Sequence, residues 1–366
     1  MRSKSEPRPI DPDALKRFSF AVFTKLEGAV TSGMIHLGDQ LGLYRALALA
    51  EAPLTTADLA LATGLHERWV REWAANQAAA QLVEWVEGDD GLRISLSPEA
   101  AAVLATPGHP AFGMGVFHRL PQTMQALERL PESFRSGLGH DYDSHGPNGA
   151  AGIERSFEPW YRNYLLPVGL PALDGVVAKL EAGIDVVDIG CGAGVAVCLM
   201  AAAYPASRFR GFDISHHALD RAEQRRLDLG LDNVAFVDPG EVPLPDDRSV
   251  DLVTTFDCIH DMTHPAEMMQ AIRRVVSDEG AWLLVDIKGR DTFTENVTKN
   301  PLAALMYGVS VYSCMASALS EPGGAGLGTL GLPESRAREM ATDAGFTRFR
   351  RLPIDNRVNA FYEIRP

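Results

Sequence analysis

The sequence predicts an α/β protein whose larger part is a doubly wound, mostly parallel sheet, preceded by a smaller and mainly helical domain. Three observations support this fold class. From residue 185 onwards β-type segments alternate with helical ones, a glycine-rich turn follows the first strand, and the amino-terminal part shows a helical period instead. A chain of 366 residues is also long enough to form two separate cores. We therefore expect two domains joined by a connecting region.

The amino-terminal part has the order of elements that is typical of a winged helix. Apolar residues at steps of three and four predict helices, and Thr and Gly residues mark where one of them begins and ends. In chain order we expect a helical segment over 18–50, a helix from Thr55 and Thr56 to about Gly64, a helix over 68–80, and strands over 82–86 and 92–96 around the turn 88–91. Helix, turn, helix and hairpin together predict a winged-helix domain over residues 1–105.

Two functions compete for this domain, because winged helices bind DNA in some proteins and only dimerise in others. Residues 1–105 contain ten Lys or Arg but fourteen Asp or Glu, and the predicted second helix alternates Glu67, Arg68, Arg71 and Glu72. A surface that binds DNA carries a clear excess of positive charge. We therefore predict that the domain binds no nucleic acid and forms a homodimer through apolar helices that a monomer would leave exposed.

Composition narrows the classes of partner. The formal net charge is -14, which repels nucleic acid and anionic membrane surfaces. The four cysteines, at 191, 198, 258 and 314, form no C-x-x-C pair, so we expect neither disulfides nor a metal site. Residues 1–13 are polar and predict a frayed tail, and the chain shows neither a signal peptide nor a membrane-spanning apolar run. A cytoplasmic protein without a membrane partner is the expectation.

The second half of the chain predicts the parallel sheet. Its expected strands are 186–189, 208–212, 234–237, 250–256 and 282–287, with helical segments between them. Two further strands, 348–352 and 358–364, are separated by a turn too short for a parallel crossover, so they should form an antiparallel hairpin at one sheet edge. We assign this domain to residues 176–366 and a helical connector with a substrate lid to residues 106–175.

A candidate cofactor site follows the first strand. The turn Gly190-Cys191-Gly192-Ala193-Gly194 has small residues that let a ligand lie against the backbone where a helix begins. Asp213, at the end of the second strand, is placed to accept hydrogen bonds from two ribose hydroxyls, an arrangement that also suits NAD. The turn lacks the G-x-G-x-x-G spacing, Asp188 precedes it, and Asp238 ends the third strand. These three details favour S-adenosylmethionine.

Residues 185–288 resemble the class I S-adenosylmethionine-dependent methyltransferases, with Val-Val-Asp-Ile-Gly-Cys-Gly-Ala-Gly as the cofactor motif. The resemblance implies a Rossmann-like sheet whose glycine turn approaches the methionine part of the cofactor, with Asp213 on the ribose. It also implies that Ile214 packs against adenine, that Asp238 accepts a hydrogen bond from the adenine amino group, and that Phe256 lines the pocket. Pro239 departs from the family pattern, since it removes a backbone donor beside Asp238. The expected cofactor residues are Asp188, Gly190, Cys191, Gly192, Gly194, Asp213, Ile214, Asp238, Pro239, Phe256 and Asp257.

The segment after the fourth strand, Asp257-Cys258-Ile259-His260-Asp261, should lie at the carboxyl ends of the strands, where such sheets bind ligands. His260 can remove a proton from a hydroxyl or amine during methyl transfer, since a histidine pKa of about 6.5 suits neutral pH. The Ile-His-Asp triplet is similar to that of plant-type and bacterial small-molecule O-methyltransferases, in which the histidine is the base and an amino-terminal winged helix dimerises. A loop histidine can equally be a structural, hydrogen-bonded group.

Aromatic residues are candidate substrate contacts, because their rings can surround a sulfonium, although aromatic side chains more often fill a core. The candidates are Tyr142, Trp160, Tyr164, Tyr307 and Tyr312, and the glycine-rich loop 321–329 is a candidate lid. The sequence thus predicts methyl transfer to oxygen or nitrogen of a small molecule, with His260 as base. Two alternatives stay open. One is S-methylation of a small thioether or thiol acid without a base, and the other is a cofactor-sensing regulator that binds DNA.

Overall fold

The computed structural model describes residues 9–89 and 91–366, and it divides into two compact units between Leu120 and Pro121. Most of the expected frayed tail, and Asp90 of the expected hairpin turn, lie outside the described residues. Within the described residues, every helix is too short or too polar to span a lipid bilayer. Each unit has its own hydrophobic core.

The first unit is a winged helix. Its helices are α1 (Pro12–Gln40), α2 (Leu43–Leu49), α3 (Thr56–Thr63), α4 (Glu67–Ala79), α5 (Pro98–Leu104) and α6 (Met114–His118). Its three strands form an antiparallel sheet in the order β1-β3-β2, with β1 at Leu54–Thr55, β2 at Glu84–Gly88 and β3 at Gly91–Ser95.

Local sequence explains the helix ends of this unit. The segment expected as one helical stretch over 18–50 is two helices, because Gly42 adopts a left-handed φ of 72° and breaks it between α1 and α2. The Thr55 side chain caps α3 by accepting from the Asp58 N–H at 3.1 Å, and Gly64 ends that helix. Trp73 of α4 donates its indole N–H to the Met34 carbonyl at 2.9 Å, which fixes α4 against α1.

The second unit contains the large sheet and the remaining helices. The helices are α7 (Leu120–Gln125), α8 (Leu130–Ser136), α9 (Gly146–Trp160), α10 (Val176–Ala182), α11 (Val195–Ala203), α12 (His216–Asp228), α13 (Pro265–Val275), α14 (Phe293–Lys299), α15 (Ala303–Tyr312), α16 (Cys314–Ala318) and α17 (Glu334–Asp343). Short 3-10 turns occupy Ala126–Glu128, Tyr142–His145 and Ile259–Asp261, and Tyr161–Gly169 is a π-helical segment. The strands are β4 (Asp185–Ile189), β5 (Arg208–Phe212), β6 (Val234–Val237), β7 (Val250–Phe256), β8 (Val276–Ile287), β9 (Arg348–Arg351) and β10 (Asn359–Arg365).

The seven strands lie in the order β6-β5-β4-β7-β8-β10-β9. Strands β4 to β8 are parallel, and β10 runs antiparallel to both β8 and β9. The expected doubly wound sheet with an antiparallel edge hairpin is therefore confirmed. Both faces of the sheet are buried. Successive residues of a strand point to opposite faces, and accordingly Val186 belongs to one hydrophobic cluster and Val187 to the other. This order brings the carboxyl ends of β4, β5 and β7 together.

Candidate active site

A cavity of about 440 Å³ opens at the carboxyl ends of β4, β5 and β7 in the second unit. Open parallel sheets bind ligands at this edge, where the strand order reverses and adjacent loops diverge. The walls come from six parts of the chain: the turn after β4, the residues after β5, two residues after β6, the segment after β7, and the stretches 141–161 and 317–321. The cavity is therefore the place where the predicted site residues must be sought.

The glycine turn after β4 forms one end of the cavity. Gly192 has a left-handed φ of 54°, and a Cβ added there would meet no described atom within 4 Å, so its free side is open. Gly194 also has a positive φ, of 69°, but a Cβ there would come within 2.5 Å of the Phe236 ring. The two glycines therefore serve different purposes. Gly192 leaves space beside the backbone, and Gly194 allows α11 to pack closely on the sheet.

Asp213 lies beside this turn. Its Oδ2 accepts the Gly192 N–H at 2.8 Å, and its Oδ1 accepts the Ser215 N–H at 2.8 Å. Burial raises the pKa of Asp213, while the hydrogen bonds from the backbone oppose that shift. The Ser215 hydroxyl in turn donates to Asp143 at 2.5 Å, which ties the wall segment 142–145 to the end of β5. The carboxylate is thus fixed in position at the cavity wall.

Asp188, inside β4, is buried with an exposed fraction of 1%. Its Oδ1 accepts the Thr254 hydroxyl at 2.6 Å, while Oδ2 has no hydrogen-bond partner among the described residues. Burial, and to a lesser degree the charge of Asp213, raises the pKa of Asp188 to about 7. Asp188 does not itself line the cavity, and its hydrogen bond to Thr254 joins β4 to β7 directly before the glycine turn.

The predicted cofactor residues divide into two groups. Eight of the eleven line the cavity: Gly190, Cys191, Gly192, Asp213, Ile214, Pro239, Phe256 and Asp257. Asp188 and Gly194 lie behind the turn, and Asp238 turns back to accept the Gly240 N–H at 2.7 Å. The predicted adenine contact through Asp238 therefore stays a prediction, and it is Pro239 beside it that reaches the cavity.

His260 lies in the 3-10 turn after β7 and is only 2% exposed. Its Nδ1 is 2.6 Å from Asp286 Oδ1 at the end of β8, and the second carboxylate oxygen, Oδ2, has no hydrogen-bond partner in the described chain. Burial lowers the pKa of His260, but the charge of Asp286 and contacts with Asp286 and Cys314 raise it well above its ordinary value. The imidazole itself does not line the cavity, whereas its neighbours Cys258 and Asp261 do.

Two further carboxyls stand beside this histidine at the cavity wall. Asp257 has a left-handed φ of 50° and accepts the Asn359 side-chain amide at 2.5 Å. Burial and the charge of Asp286 raise the pKa of Asp257 to about 7, and burial raises the pKa of Asp261 to about 7 as well. Side chains that titrate near neutral pH in a cavity are candidates for proton transfer.

Few of the predicted substrate residues line the cavity. Tyr142 lines the cavity. Trp160 packs against Phe361 with ring centroids 5.5 Å apart and against Tyr164 at 6.5 Å, while Tyr307 packs against Phe293 at 6.2 Å. None of Trp160, Tyr164, Tyr307 and Tyr312 is among the lining residues. Of the candidate lid 321–329, Glu321 reaches the wall, so these substrate contacts stay predictions.

Comparison with known families identifies both units. A model described as "Methyltransferase domain" matches residues 180–329, which span the glycine turn, Asp213 and the His260 segment. A second model, the "Rv2258c-like winged HTH domain", matches residues 29–106. The chain is an S-adenosylmethionine-dependent methyltransferase with an amino-terminal winged helix. No curated protein sequence matches the methyltransferase as a relative.

Solved structures agree with this fold across the whole chain. Human N-acetylserotonin methyltransferase in complex with S-adenosylmethionine is 16% identical, covers 100% of this chain and 99% of its own, and has a TM-score of 0.66. The mitomycin 7-O-methyltransferase MmcR is 20% identical over 97% of this chain and 100% of its own, with a TM-score of 0.68. A third similar structure is NcsB1, an O-methyltransferase from neocarzinostatin biosynthesis bound to S-adenosylmethionine and a hydroxylated naphthoic acid. It is 16% identical over 92% of this chain and 95% of its own, with a TM-score of 0.61.

The cavity fits S-adenosylmethionine as the cofactor of the methyltransferase. Gly192 leaves the backbone open to a bulky ligand at the cavity wall. Asp213 stands at the wall with both oxygens held by backbone N–H groups, so it can accept further hydrogen bonds from a ribose through its remaining lone pairs. The carboxylates near the glycine turn also complement a ligand that carries positive charge.

Sequence reasoning missed three residues of this site. Asp286 could have been found, because it ends a predicted strand at the edge where ligands bind. Asp261 follows a predicted catalytic histidine but was not itself singled out. Asn359 comes from the antiparallel strand β10, and its hydrogen bond to Asp257 depends on register across the sheet edge, for which the sequence carries no local signal.

Proposed function

We propose that this methyltransferase transfers the methyl group to a hydroxyl oxygen of a small molecule, with the His260–Asp286 pair as the base. The observation that carries the proposal is the 2.6 Å contact between His260 Nδ1 and Asp286 Oδ1 in a buried setting. A carboxylate on one ring nitrogen fixes the tautomer and leaves the other nitrogen to accept a proton. Cys258 and Asp261, on either side of the pair's turn, are at the cavity wall.

S-adenosylmethionine supplies a methyl group on a sulfonium, which is left as a neutral thioether. The acceptor oxygen forms the new bond to carbon and loses its proton as it does so. His260 is buried, so Asp261 is well placed to carry this proton from the cavity to the imidazole. Candidate ligand atoms of His260, Asp261 and Cys314 all lie within 4.8 Å of one another, and the pKa of Asp261, about 7, lets it take and release a proton at neutral pH.

Transfer to oxygen is also what the similar structures favour. MmcR is named a 7-O-methyltransferase, and NcsB1 is an O-methyltransferase whose structure holds a hydroxylated naphthoic acid. These names support a small molecule as the acceptor, and they support oxygen rather than nitrogen or sulfur as the methylated atom. Because a thioether has no proton to lose, the competing S-methylation would make the buried pair unnecessary.

The variant His260→Ala separates these reactions. If the acceptor is a hydroxyl, kcat should fall by about a hundredfold, because general-base catalysis contributes on this scale. His109→Ala is the matched control, since His109 is exposed and lies outside the cavity. Release of S-adenosylhomocysteine can be followed by mass spectrometry with each acceptor tested. Turnover within about threefold of the parent in His260→Ala would contradict the base and favour sulfur as the acceptor.

We further propose that the winged-helix unit makes the methyltransferase a homodimer. Helix α1 is 29 residues long and exposes large apolar side chains along its surface: Phe18 at 71%, Phe20 at 72%, Phe23 at 67% and Leu26 at 58%. A monomer would leave this apolar surface in water. Light scattering should give twice the chain mass of 39.7 kDa, and Phe20→Ser with Phe23→Ser should reduce it to one chain. A parent protein that is already monomeric would overturn the proposal.

The alternative of a DNA-binding regulator finds little support in the charges of α4. Arg68 pairs with Glu72 at 2.5 Å and Arg71 pairs with Glu67 at 3.0 Å, so the helix presents no net positive charge through these residues. We expect no retardation of duplex DNA in a gel shift at low salt, with or without S-adenosylmethionine. Retardation that salt abolishes would revive the alternative.

A further inference from the structure

The charge of the cavity lining is one-sided. Among the residues that the structure describes, six carboxylate side chains line it and no Lys or Arg does: Asp141, Glu154, Asp213, Asp257, Asp261 and Glu321. Charges of one sign in a cavity with apolar walls create a field that selects ligands of the opposite sign. The positively charged cofactor needs part of this negative field. The carboxylates that have no other partner are the ones that remain for the acceptor.

Three of the six already have partners. Glu154 of α9 is neutralised by Arg221, at 2.5 Å, and by Arg225, both on α12. Asp213 accepts two backbone N–H groups and is the residue that we assign to the ribose. Asp141 accepts the Ser144 N–H at 2.9 Å. The carboxyls nearest the His260–Asp286 pair are therefore the ones that an acceptor would meet.

Around that pair the negative charge is not balanced. No Lys or Arg in the described parts of the chain forms an ion pair with Asp257, Asp261 or Asp286. The imidazole of His260 is therefore the basic side chain that can offset the charge of these three carboxyls. Asp286 is 1% exposed and does not line the cavity, whereas Asp257 and Asp261 do. A ligand in the cavity therefore meets two carboxyls that lack a cation, and a positively charged donor on the ligand would complement them.

Part of the cavity wall is aromatic and apolar. Phe157, Tyr161, Phe256 and Met268 line it, and the rings of Tyr161 and Phe256 meet edge to face with centroids 5.2 Å apart. Such a wall suits a flat ring, and aromatic faces also attract cations. The cavity therefore combines a surface for an aromatic ring with carboxyls that lack a cation.

We propose that the acceptor is a hydroxylated aromatic compound that carries a protonated amine, and that the cavity disfavours acceptors with a carboxylate or phosphate. An ammonium group would supply the missing positive charge and hydrogen-bond donors. An acid would instead lose its hydration and face further carboxylates without a compensating cation. This inference rests on the proposed function, because it takes the hydroxyl of the same molecule as the methylated group.

Three probes that share one ring and differ in the terminal group test the proposal: tyramine, tyrosol and 4-hydroxyphenylacetate. Their binding to the enzyme saturated with S-adenosylhomocysteine is measured by calorimetry. Tyramine should bind at least about tenfold more tightly than 4-hydroxyphenylacetate, with tyrosol between them. Equal binding of the three, binding of none, or tighter binding of the acid overturns the proposal. So does a preference for the acid that appears only with added Zn²⁺, because a metal ion would then occupy the carboxyls.

Variants locate the effect in the cavity. Asp261→Asn and Asp257→Asn should each reduce the advantage of tyramine over tyrosol several-fold, and Asn tolerates the left-handed backbone at position 257. Glu181→Gln is the control, because Glu181 is exposed and does not line the cavity. An advantage that neither cavity variant reduces would overturn the proposal.

Formation of S-adenosylhomocysteine from tyrosol tests hydroxyl methylation separately. Turnover without a charge preference contradicts only this inference. A charge preference without turnover contradicts only the proposed function.

Discussion

The two ends of the cavity are built in different ways. The cofactor end comes from one short stretch of chain, in which Asp188, Gly192 and Asp213 lie on or directly after two neighbouring parallel strands. The acceptor end joins residues that are far apart in sequence, since His260 meets Asp286 and Asp257 meets Asn359. The first end is fixed by backbone geometry and the second by side chains from separate strands. A substitution should therefore act on cofactor affinity at one end and on turnover or acceptor choice at the other.

The largest expected effect is on cofactor affinity in Asp213→Ala. The change removes the acceptor of two backbone N–H groups and the proposed partner of two ribose hydroxyls. Hydrogen bonds to a charged group contribute about 1.5–3 kcal/mol each, so affinity for S-adenosylmethionine should fall by at least about a hundredfold. Calorimetric titration measures it. Asp220→Ala, at an exposed position of α12, is the control, and a loss below threefold in Asp213→Ala would remove Asp213 from the cofactor site.

The cofactor end shows how far sequence alone can lead. Strand, glycine turn, helix and a carboxylate after the next strand follow one another at fixed spacing, so the parallel sheet brings Asp213 to Gly192 without any long-range information. The fold was predictable for the same reason, including the edge hairpin, whose short connection excludes a parallel pairing. Asp238 marks the limit. Its strand was predicted correctly, but the direction of its side chain, toward the Gly240 N–H, depends on local turn geometry.

At the acceptor end, Asp286→Asn should change the pH dependence of turnover. The charge of Asp286 is the main factor that raises the pKa of His260 against the effect of burial, so the amide should lower that pKa. A base acts in its neutral form, and the acid limb of the kcat profile should therefore move to lower pH. The maximum should also fall by about ten- to a hundredfold, because the imidazole loses its orienting carboxylate.

A profile of kcat between pH 5 and 9 checks this prediction, with S-adenosylmethionine affinity measured alongside. That affinity should stay within about twofold, because Asp286 forms no hydrogen bond with the glycine turn among the described residues and does not line the cavity. An acid limb that stays in place in Asp286→Asn would mean that another group titrates. Asp261, with a pKa of about 7 at the cavity wall, would then be the first residue to examine.

The acceptor end was less predictable because its parts have no common local pattern. The His-Asp step after β7 was visible in the sequence, but the partner of the histidine comes from β8, and Asn359 comes from a strand that runs in the opposite direction. The aromatic residues show the same limit. Trp160 and Tyr164 are near the site in sequence, yet Trp160 packs on Phe361, because an aromatic ring buries as much surface in a core as in a cavity.

The smallest expected effect comes from a pair of glycines and tests whether the cofactor end depends on backbone access. Gly192 and Gly230 both have positive φ, 54° and 62°, and at both a Cβ would find no described atom within 4 Å. Alanine at either position should lower the free energy of unfolding by a similar amount, about 1–2 kcal/mol, because the strain of the left-handed backbone is the same. Only Gly192→Ala should also weaken binding of S-adenosylmethionine, by about tenfold, since Gly230 lies outside the cavity. Thermal unfolding and calorimetry on both variants separate the two effects. The contrary outcome is that both variants lose stability but bind the cofactor like the parent protein. That outcome would show that Gly192 is needed for the turn and not for cofactor access. Binding at the cofactor end would then depend on side chains, as it does at the acceptor end.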